Sequence, residues 1–319
     1  MKKKVSQIKT VLVTGGGGFI GSHLLKMLLA KNYKVIVLER SVNDIVRIKG
    51  LLNKIKIYYS NDDPEKIFHE NDIDALIHLA TLYLKEHNCP EQAKSLIDVN
   101  IGFTTVLAEL CSKHKVRCFI NTGTFFEYEL TDKKISETSN KAPYNLYAAT
   151  KTAAAQILRY YSLGKGLKVI NLYLFAPFGD GDNEKLMALL VRALVDNTLL
   201  DFSGGDQRWN FTYVKDITAA YVCALEKADK INNYENFNVG YDKVYSIKEI
   251  AKKLEKISGK KLKVNWGAKS YVDNEIFYVN ADNTKLRRAL GWKPKYDVDS
   301  GLRQTYEYFS NKYGSKNAR

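Results

Sequence analysis

Apolar positions in the first half of the chain fall into two alternating textures. Short runs such as "KTVLVTG", "YKVIVLER", "IKIYYS", "IDALIHLA" and "VRCFINTG" are apolar almost throughout, as strands buried on both faces must be. Between them lie stretches with helical spacing of apolar residues, "FIGSHLLKMLLAKN" and residues 91–113 among them. Strand, helix, strand at this spacing predicts a parallel sheet with helices on both faces and right-handed crossovers. The alternation continues through a helix over about residues 147–163 and a strand in "LKVINLYLF". The expected class is therefore α/β, a doubly wound parallel sheet over residues 1–174.

After about Phe175 the texture changes. "APFGDGDN" and "SGGDQRWN" are turn-rich, and short aromatic strands are interleaved with helices. Residues 175–319 read as mainly a smaller substrate-binding domain, with residues 214–240 returning to the main sheet because "FNVG" resembles a last core strand. There is no internal repeat and no low-complexity linker, and only "GSKNAR" looks frayed.

Composition narrows the class little further. Hydrophobic residues are 45% and charged residues 26% of 319, ordinary for a globule. No run approaches the ~18 uncharged apolar residues of a membrane-spanning helix, and "MKKKVSQIK" lacks the apolar stretch of a secretory signal. No membrane association is expected, and the cytoplasm is the expected compartment. The net charge of +14 is scattered rather than gathered into a stripe, which fits a lysine-rich enzyme handling phosphorylated small molecules better than a nucleic-acid binder. Cys89, Cys111, Cys118 and Cys223 have neither CxxC nor disulfide-framework spacing and read as reduced thiols. The five histidines form no HxxxH or HExxH pattern, so no metal site is expected.

"TGGGGFIG" places Gly15, Gly18 and Gly21 directly after a strand and at the opening of a helix. Gly15 would make the tight turn, Gly18 would let the backbone approach a pyrophosphate, and Gly21 would let the helix pack closely on the strand. The helix N-terminus then faces the phosphates with unpaired N–H groups, the Rossmann-type arrangement for a dinucleotide. Glu39 ends the second strand 18 residues after Gly21. A carboxylate there accepts from ribose hydroxyls and repels a 2′-phosphate, which favours NAD(H). Arg40 follows at once and could hold that phosphate, so NADP(H) stays open. Asp62 and Asp63 lie where a carboxylate could meet the adenine amino group, or they belong to a solvated turn before Pro64.

"YAATK" sits in the alanine-rich helical stretch "APYNLYAATKTAAAQILRYY". Tyr147 and Lys151 share a helix face at i, i+4. An ammonium beside a phenol favours the phenolate and lowers its pKa from about 10 towards neutrality, where it can exchange a proton during hydride transfer. Lys151 can also hold the nicotinamide ribose. In "FINTGTFF", Thr122 lies just past an apolar strand. Its hydroxyl either aligns a substrate oxygen with Tyr147 or caps a turn.

Gly15, Gly18, Gly21, Thr122, Tyr147 and Lys151 together resemble the extended short-chain dehydrogenase/reductase family, in its nucleotide-sugar epimerase/dehydratase branch. The likeness covers nearly the whole chain: "IHLAT", "DVNIGFTTVL" and "LGWKPKYDVDSGL" match family segments. It implies that Phe19, Ile20, Leu79, Ala80 and Thr81 line the cofactor. "LIHLAT", "INTGTFF", "DNEI" and "LGWKPKYD" are most similar to sugar 4-ketoreductases of the CDP-abequose/paratose synthase kind. That implies reduction of a nucleotide-linked 4-keto-6-deoxyhexose for surface polysaccharide, with Tyr147 as general acid, Thr122 orienting the carbonyl and Thr124 beside the substrate. A homodimer through the helices near residues 91–113 and 144–163 is also implied.

Departures limit the likeness. The 4,6-dehydratases carry Asp-Glu directly after the threonine, where this chain has Gly123 and Thr124, so 4,6-dehydration is rejected. Tyr173 and Ala176 stand where the family has Arg and Asn. The later Arg-Asp-Phe pattern reads "RWNF", with Arg208 displaced by one position. Arg208 is the candidate for the substrate diphosphate, or a surface arginine near a glycine turn. Phe126 and Trp209 stack on substrate or belong to the core. The chief rival is a nucleotide-sugar 4-epimerase that retains NAD. A dinucleotide-sensing module that has kept the fold is more remote, since it has no need of Thr122, Tyr147 and Lys151 together.

Overall fold

In the computed structural model, which describes residues 8–183 and 185–317, β1 (Thr10–Thr14) runs through a glycine loop into α1 (Phe19–Ala30). Next come β2 (Lys34–Glu39), β3 (Lys56–Tyr59), α2 (Pro64–His69), β4 (Ala75–His78), α3 (Pro90–Ile97) and α4 (Thr104–Lys113). β5 (Cys118–Thr124), α5 (Leu146–Lys165) and β6 (Val169–Leu174) complete the first half. Beyond them lie α6 (Leu186–Asp196), α7 (Val214–Glu226), β7 (Tyr234–Val239), α8 (Ile247–Ser258), α9 (Thr284–Leu290) and α10 (Val298–Asn317). The strands form one sheet in the order β7-β6-β5-β4-β1-β2-β3, and every pairing is parallel. This is the doubly wound, Rossmann-type sheet that the periodicity predicts. "FNVG" does return to it, with Phe237 opposite Leu172 and Val239 opposite Leu174.

The unbroken apolar runs follow from burial on both sides. Val11, Val13, Val35 and Val37 pack with α1 and α7. Their neighbours Leu12, Ile36 and Leu38 pack with α4 and α5 on the opposite face. A third cluster, built on α6, α8 and α10, holds Leu190, Leu254, Leu302 and Phe309. Residues 90–113 form one helix interrupted by a π turn at Asp98–Phe103. By length and composition that helix is apolar enough to cross a membrane, although Glu91, Lys94, Asp98, Glu109 and Lys113 keep it from being an uncharged apolar run. Within the fold, Leu107, Ala108 and Cys111 of this helix are buried in the sheet's core.

The "LGWKPKYD" segment clamps the end of the chain to the first layer. Trp292 is buried, and its indole N–H donates to the Asp216 carbonyl oxygen at 2.9 Å. The Asp216 carboxylate, in the first turn of α7, accepts the backbone N–H groups of Lys295 at 2.8 Å and Tyr296 at 3.1 Å. Burial pushes the Asp216 carboxyl up, and these two N–H groups pull it back down. Asp216→Ala should strip the acceptor from both and lower unfolding free energy by about 2 kcal/mol. Denaturant titration checks this; an unmoved midpoint would refute the clamp.

Candidate active site

The glycine loop is shaped by close approaches. Gly15 has φ +70°, and a Cβ on it would lie 2.7 Å from the Ala80 nitrogen, so only glycine makes this turn beside β4. A Cβ on Gly21 would overlap the Gly15 carbonyl oxygen and stand 2.7 Å from Gly16 Cα. The close packing predicted for Gly21 is therefore against the loop rather than the strand. Gly18 is the N-cap of α1; no side chain caps it and no acid lies in the first turn. The first N–H groups of the helix thus keep their positive end for an anion. Gly17, not singled out from sequence, lies so near the Asp44 carbonyl oxygen that no Cβ fits. Its N–H donates to Glu39 Oε1 at 2.6 Å.

That bond fixes the acid at the end of β2. Glu39 is buried, and dehydration lifts its pKa to about 7 against the pull of the Gly17 N–H and Arg40. Arg40 forks onto Asp44, at 3.2 and 3.0 Å, on the rim of the cleft. Asp62 accepts the Tyr59 N–H at 2.7 Å, and Asp63 caps α2 by accepting the Glu65 N–H at 3.0 Å. Neither lines the cleft. The adenine contact expected of these two is thereby corrected: local turn chemistry holds both.

α5 begins after Pro143, where the Asn145 side chain caps it by accepting the Ala148 N–H at 2.9 Å. Tyr147 falls in its first turn and Lys151 one turn later, both buried. Burial pushes Lys151 down to about 8, with Glu127 pulling it back up. Burial pushes Tyr147 up, the charge of Glu127 adds to that rise, and a hydrogen bond with Thr81 opposes it. The acidic phenol expected from the i, i+4 spacing is corrected: burial and the charge of Glu127 push the phenol towards its protonated form. The Tyr83 ring stands edge-on to Tyr147, centroids 4.9 Å apart.

Thr122 reaches the cleft wall, but its hydroxyl donates to the His78 carbonyl oxygen at 2.7 Å and meets the Tyr221 hydroxyl at 2.7 Å. Its single proton is spent on the protein, so Tyr221 is the donor in the second bond. Thr122 retains lone-pair capacity and no free proton, which corrects its expected part as a donor to the substrate oxygen. Thr124 also lines the cleft and accepts the Phe126 N–H at 3.4 Å, a bond that leaves its own proton unspent. Asn100, within the quoted "DVNIG", had no role assigned from sequence. The π turn carries it to Thr81 Oγ1 and the Leu82 N–H, at 3.0 and 2.9 Å. Its amide donates to Thr150 Oγ1 at 3.0 Å, tying the end of β4 to α5.

These residues surround a cleft of about 1170 Å³ at the carboxyl ends of β1, β2, β4, β5 and β6. It spans the point where strand order reverses, the usual ligand site of such sheets. Gly15, Gly18, Phe19, Ile20, Gly21, Glu39, Arg40, Leu79, Ala80, Thr81, Thr122, Thr124 and Tyr147 all line it, so the sequence-predicted set largely converges. Arg208 does not. It ion-pairs with Glu249 at 3.2 Å, while its neighbour Trp209 faces the cleft together with Phe211, as strand alternation requires. Arg208 is thereby corrected as the diphosphate contact. Among the described residues, the cations lining the cleft are Arg40, Arg47 and Lys185.

The histidine spacing also missed one grouping. Glu65, His69 and His114 bring potential ligand atoms within 4.8 Å of one another, away from the cleft lining. The Lys113 ammonium holds Glu65 Oε1 at 2.5 Å.

Comparison with known proteins agrees with this geometry. The chain is 30% identical over 305 residues to a CDP-abequose synthase of Salmonella typhimurium, covering 92% of this chain and 96% of that protein. It is 28% identical to a UDP-glucose 4-epimerase of Bacillus subtilis, covering 97% and 99%. Its fold superposes with TM-score 0.87 and 28% identity on a UDP-glucuronic acid 4-epimerase from Bacillus cereus, solved with UDP-glucuronic acid and NAD, over 95% of this chain and 100% of that one. Residues 11–240 match the model of the NAD dependent epimerase/dehydratase family, and the chain belongs to that family.

Proposed function

We propose that this chain is an NAD(H)-dependent 4-ketoreductase of a nucleotide-linked 4-keto-6-deoxyhexose. One observation carries the reading: Tyr147 lines the cleft that the glycine loop opens into, and burial keeps its phenol protonated. A protonated phenol is a donor ready for a carbonyl oxygen that gains charge as hydride arrives at C4. The likeness to CDP-abequose synthase supports the same assignment. Gly123 supports the rejection of 4,6-dehydration, because a Cβ there would stand 2.5 Å from the Tyr173 ring. No carboxylate could be carried at that position.

The residues present fit NAD(H), which when bound supplies the hydride. Gly15 makes the tight turn and Gly21 lets α1 close on the loop, so that the uncapped start of α1 at Gly18 offers its N–H groups to a pyrophosphate. Glu39 stands at the end of β2 to accept from the adenosine ribose, and Lys151 to hold the nicotinamide ribose. Tyr147 Oη gives its proton to the substrate oxygen, with Thr122 and Thr124 beside it on β5. Residues 1–174 with 214–240 then form the cofactor half, and residues 175–319 mainly the nucleotide-sugar half. Lys185 and Arg47 are the cations of the cleft that remain for the substrate diphosphate. Exposed Ile97, Val106, Tyr160 and Leu163 offer apolar surface on the α3, α4 and α5 face for a second copy.

A 4-epimerase is the second reading, favoured by the overall superposition on an epimerase. A stopped assay over keto and non-keto nucleotide sugars, with and without added NADH, separates the two. Reduction only with a keto sugar and added NADH is expected. Turnover of a non-keto sugar by protein carrying its own NAD would establish the epimerase.

Tyr147→Phe should lower kcat by about 10²–10⁴ while leaving NADH binding nearly intact; unchanged turnover would remove Tyr147 from the chemistry. Cofactor choice should also depend on pH through Glu39, whose pKa is raised to about 7. Above that value the carboxylate is charged and repels a 2′-phosphate; below it the neutral acid does not. The NADH preference in kcat/KM over NADPH should narrow as pH falls from about 8 to about 6. In Glu39→Gln the preference should be flat over that range; a slope that persists there would assign it to another group.

A further inference from the structure

Away from the cleft, two imidazoles and a carboxylate converge where α2 meets the end of α4. Glu65 lies in the first turn of α2 and His69 at its end, one turn apart on the same face. His114, the residue after Lys113, caps the end of α4. The two imidazole rings stand edge to face, centroids 4.8 Å apart, and both bring Nε2 to the same oxygen. Glu65 Oε1 lies 3.3 Å from His69 Nε2 and 3.2 Å from His114 Nε2. The His114 ring also packs on Phe68, centroids 5.4 Å apart. The side chains of His114 and Glu65 are 18% and 31% exposed, while His69, at 65%, is free to turn.

Imidazole nitrogens and a carboxylate oxygen are the donors that a borderline divalent cation such as Zn²⁺ takes. Donors about 2.0–2.1 Å from a tetrahedral Zn²⁺ stand about 3.3–3.4 Å from one another, close to both separations at Glu65 Oε1. The third separation, between the two rings, lies within 4.8 Å and closes by a turn of the exposed His69 side chain. The Lys113 ammonium and the His114 imidazole hold the Glu65 carboxyl below its usual range, so the acid is ionised, as a ligand must be. Lys113 competes for the same oxygen, which it holds at 2.5 Å, but its side chain is 57% exposed and can withdraw into water.

We propose that Glu65 Oε1, His69 Nε2 and His114 Nε2 bind a single Zn²⁺ or similar divalent transition-metal ion, with water in the fourth position, and that the ion fastens α2 to the end of α4. Glu65 and His114 are 49 positions apart in the chain, so the ion would join two elements that meet only through the fold. None of the three ligands lines the cleft. The role is therefore structural, and it does not rest on the reductase reading.

Calorimetric titration of Zn²⁺ into the native protein, in a Mg²⁺ background that occupies oxygen-only sites, should show a single saturable site per chain and a raised thermal midpoint. His69→Ala and His114→Ala should each weaken that site by about tenfold or more. His69 is the more exposed of the two, so its variant keeps the test open if His114→Ala does not fold. Lys113→Gln should tighten the site, because the competing ammonium is gone. Co²⁺ in place of Zn²⁺ should give the visible bands of a tetrahedral nitrogen–oxygen site. A near-ultraviolet thiolate charge-transfer band would instead assign the ion to a cysteine such as the half-buried Cys89 or Cys223. That band, an unchanged affinity in His69→Ala, an affinity that does not rise in Lys113→Gln, or the lack of a saturable site would each overturn the proposal.

Discussion

Exclusion of water from ionisable groups at the carboxyl edge of the sheet is the constraint on which the site depends. Every strand of the sheet is covered on both faces, so polar side chains gather where the strands end. Glu39, Glu127, Tyr147 and Lys151 are all buried there. Without water to hold a charge, each group takes the protonation state its neighbours impose. The Gly17 N–H and Arg40 draw down Glu39, while Glu127 raises both members of the Tyr147–Lys151 pair. The site is thus a set of coupled protonation states held in place by a rigid scaffold.

The fold was legible because burial on both faces leaves its mark in single residues. Val11 and Val13 meet one core while Leu12 meets the other, so strands of this kind cannot alternate with polar positions. β7 was legible for the same reason, from "FNVG". The glycine loop could be read because a close approach to Ala80 and Gly16 tolerates no side chain. What escaped was decided by residues distant in sequence. Thr122 looked like a substrate donor until Tyr221, from α7, and the His78 carbonyl claimed its hydroxyl. Arg208 and Trp209 differ by one position, and a two-residue strand is too short to reveal which faces inward. His69 and His114 meet only because the fold brings the end of α2 to the end of α4. The π turn that delivers Asn100 leaves no local pattern at all.

The departures from the family pattern make physical sense together. Tyr173, in place of an arginine, forms half of the ring pair that shelters Lys141. Its ring also fills the space beside Gly123, where a dehydratase needs its acid. Ala176, in place of an asparagine, sits at φ 37°, a region asparagine enters more easily than alanine. The chain therefore carries a strained alanine at the cleft, where the family pattern has an asparagine. Trp209 and Phe211 make that side of the cleft aromatic.

Proton affinity bears on the direction of the chemistry. An epimerase must first remove a proton from a hydroxyl and later return it, which suits a phenol poised near neutrality. A reductase need only give one. Burial and the charge of Glu127 both raise the proton affinity of Tyr147, which leaves the resting phenol protonated and not poised as the base an epimerase uses first. The same field raises Lys151 against the burial that would neutralise it, preserving an ammonium beside the oxygen that has just lost its proton. A phenol that rests protonated matches the opening state of the proposed reduction, whereas an epimerase opens with the base step; the same burial makes that proton costlier to give in either reaction.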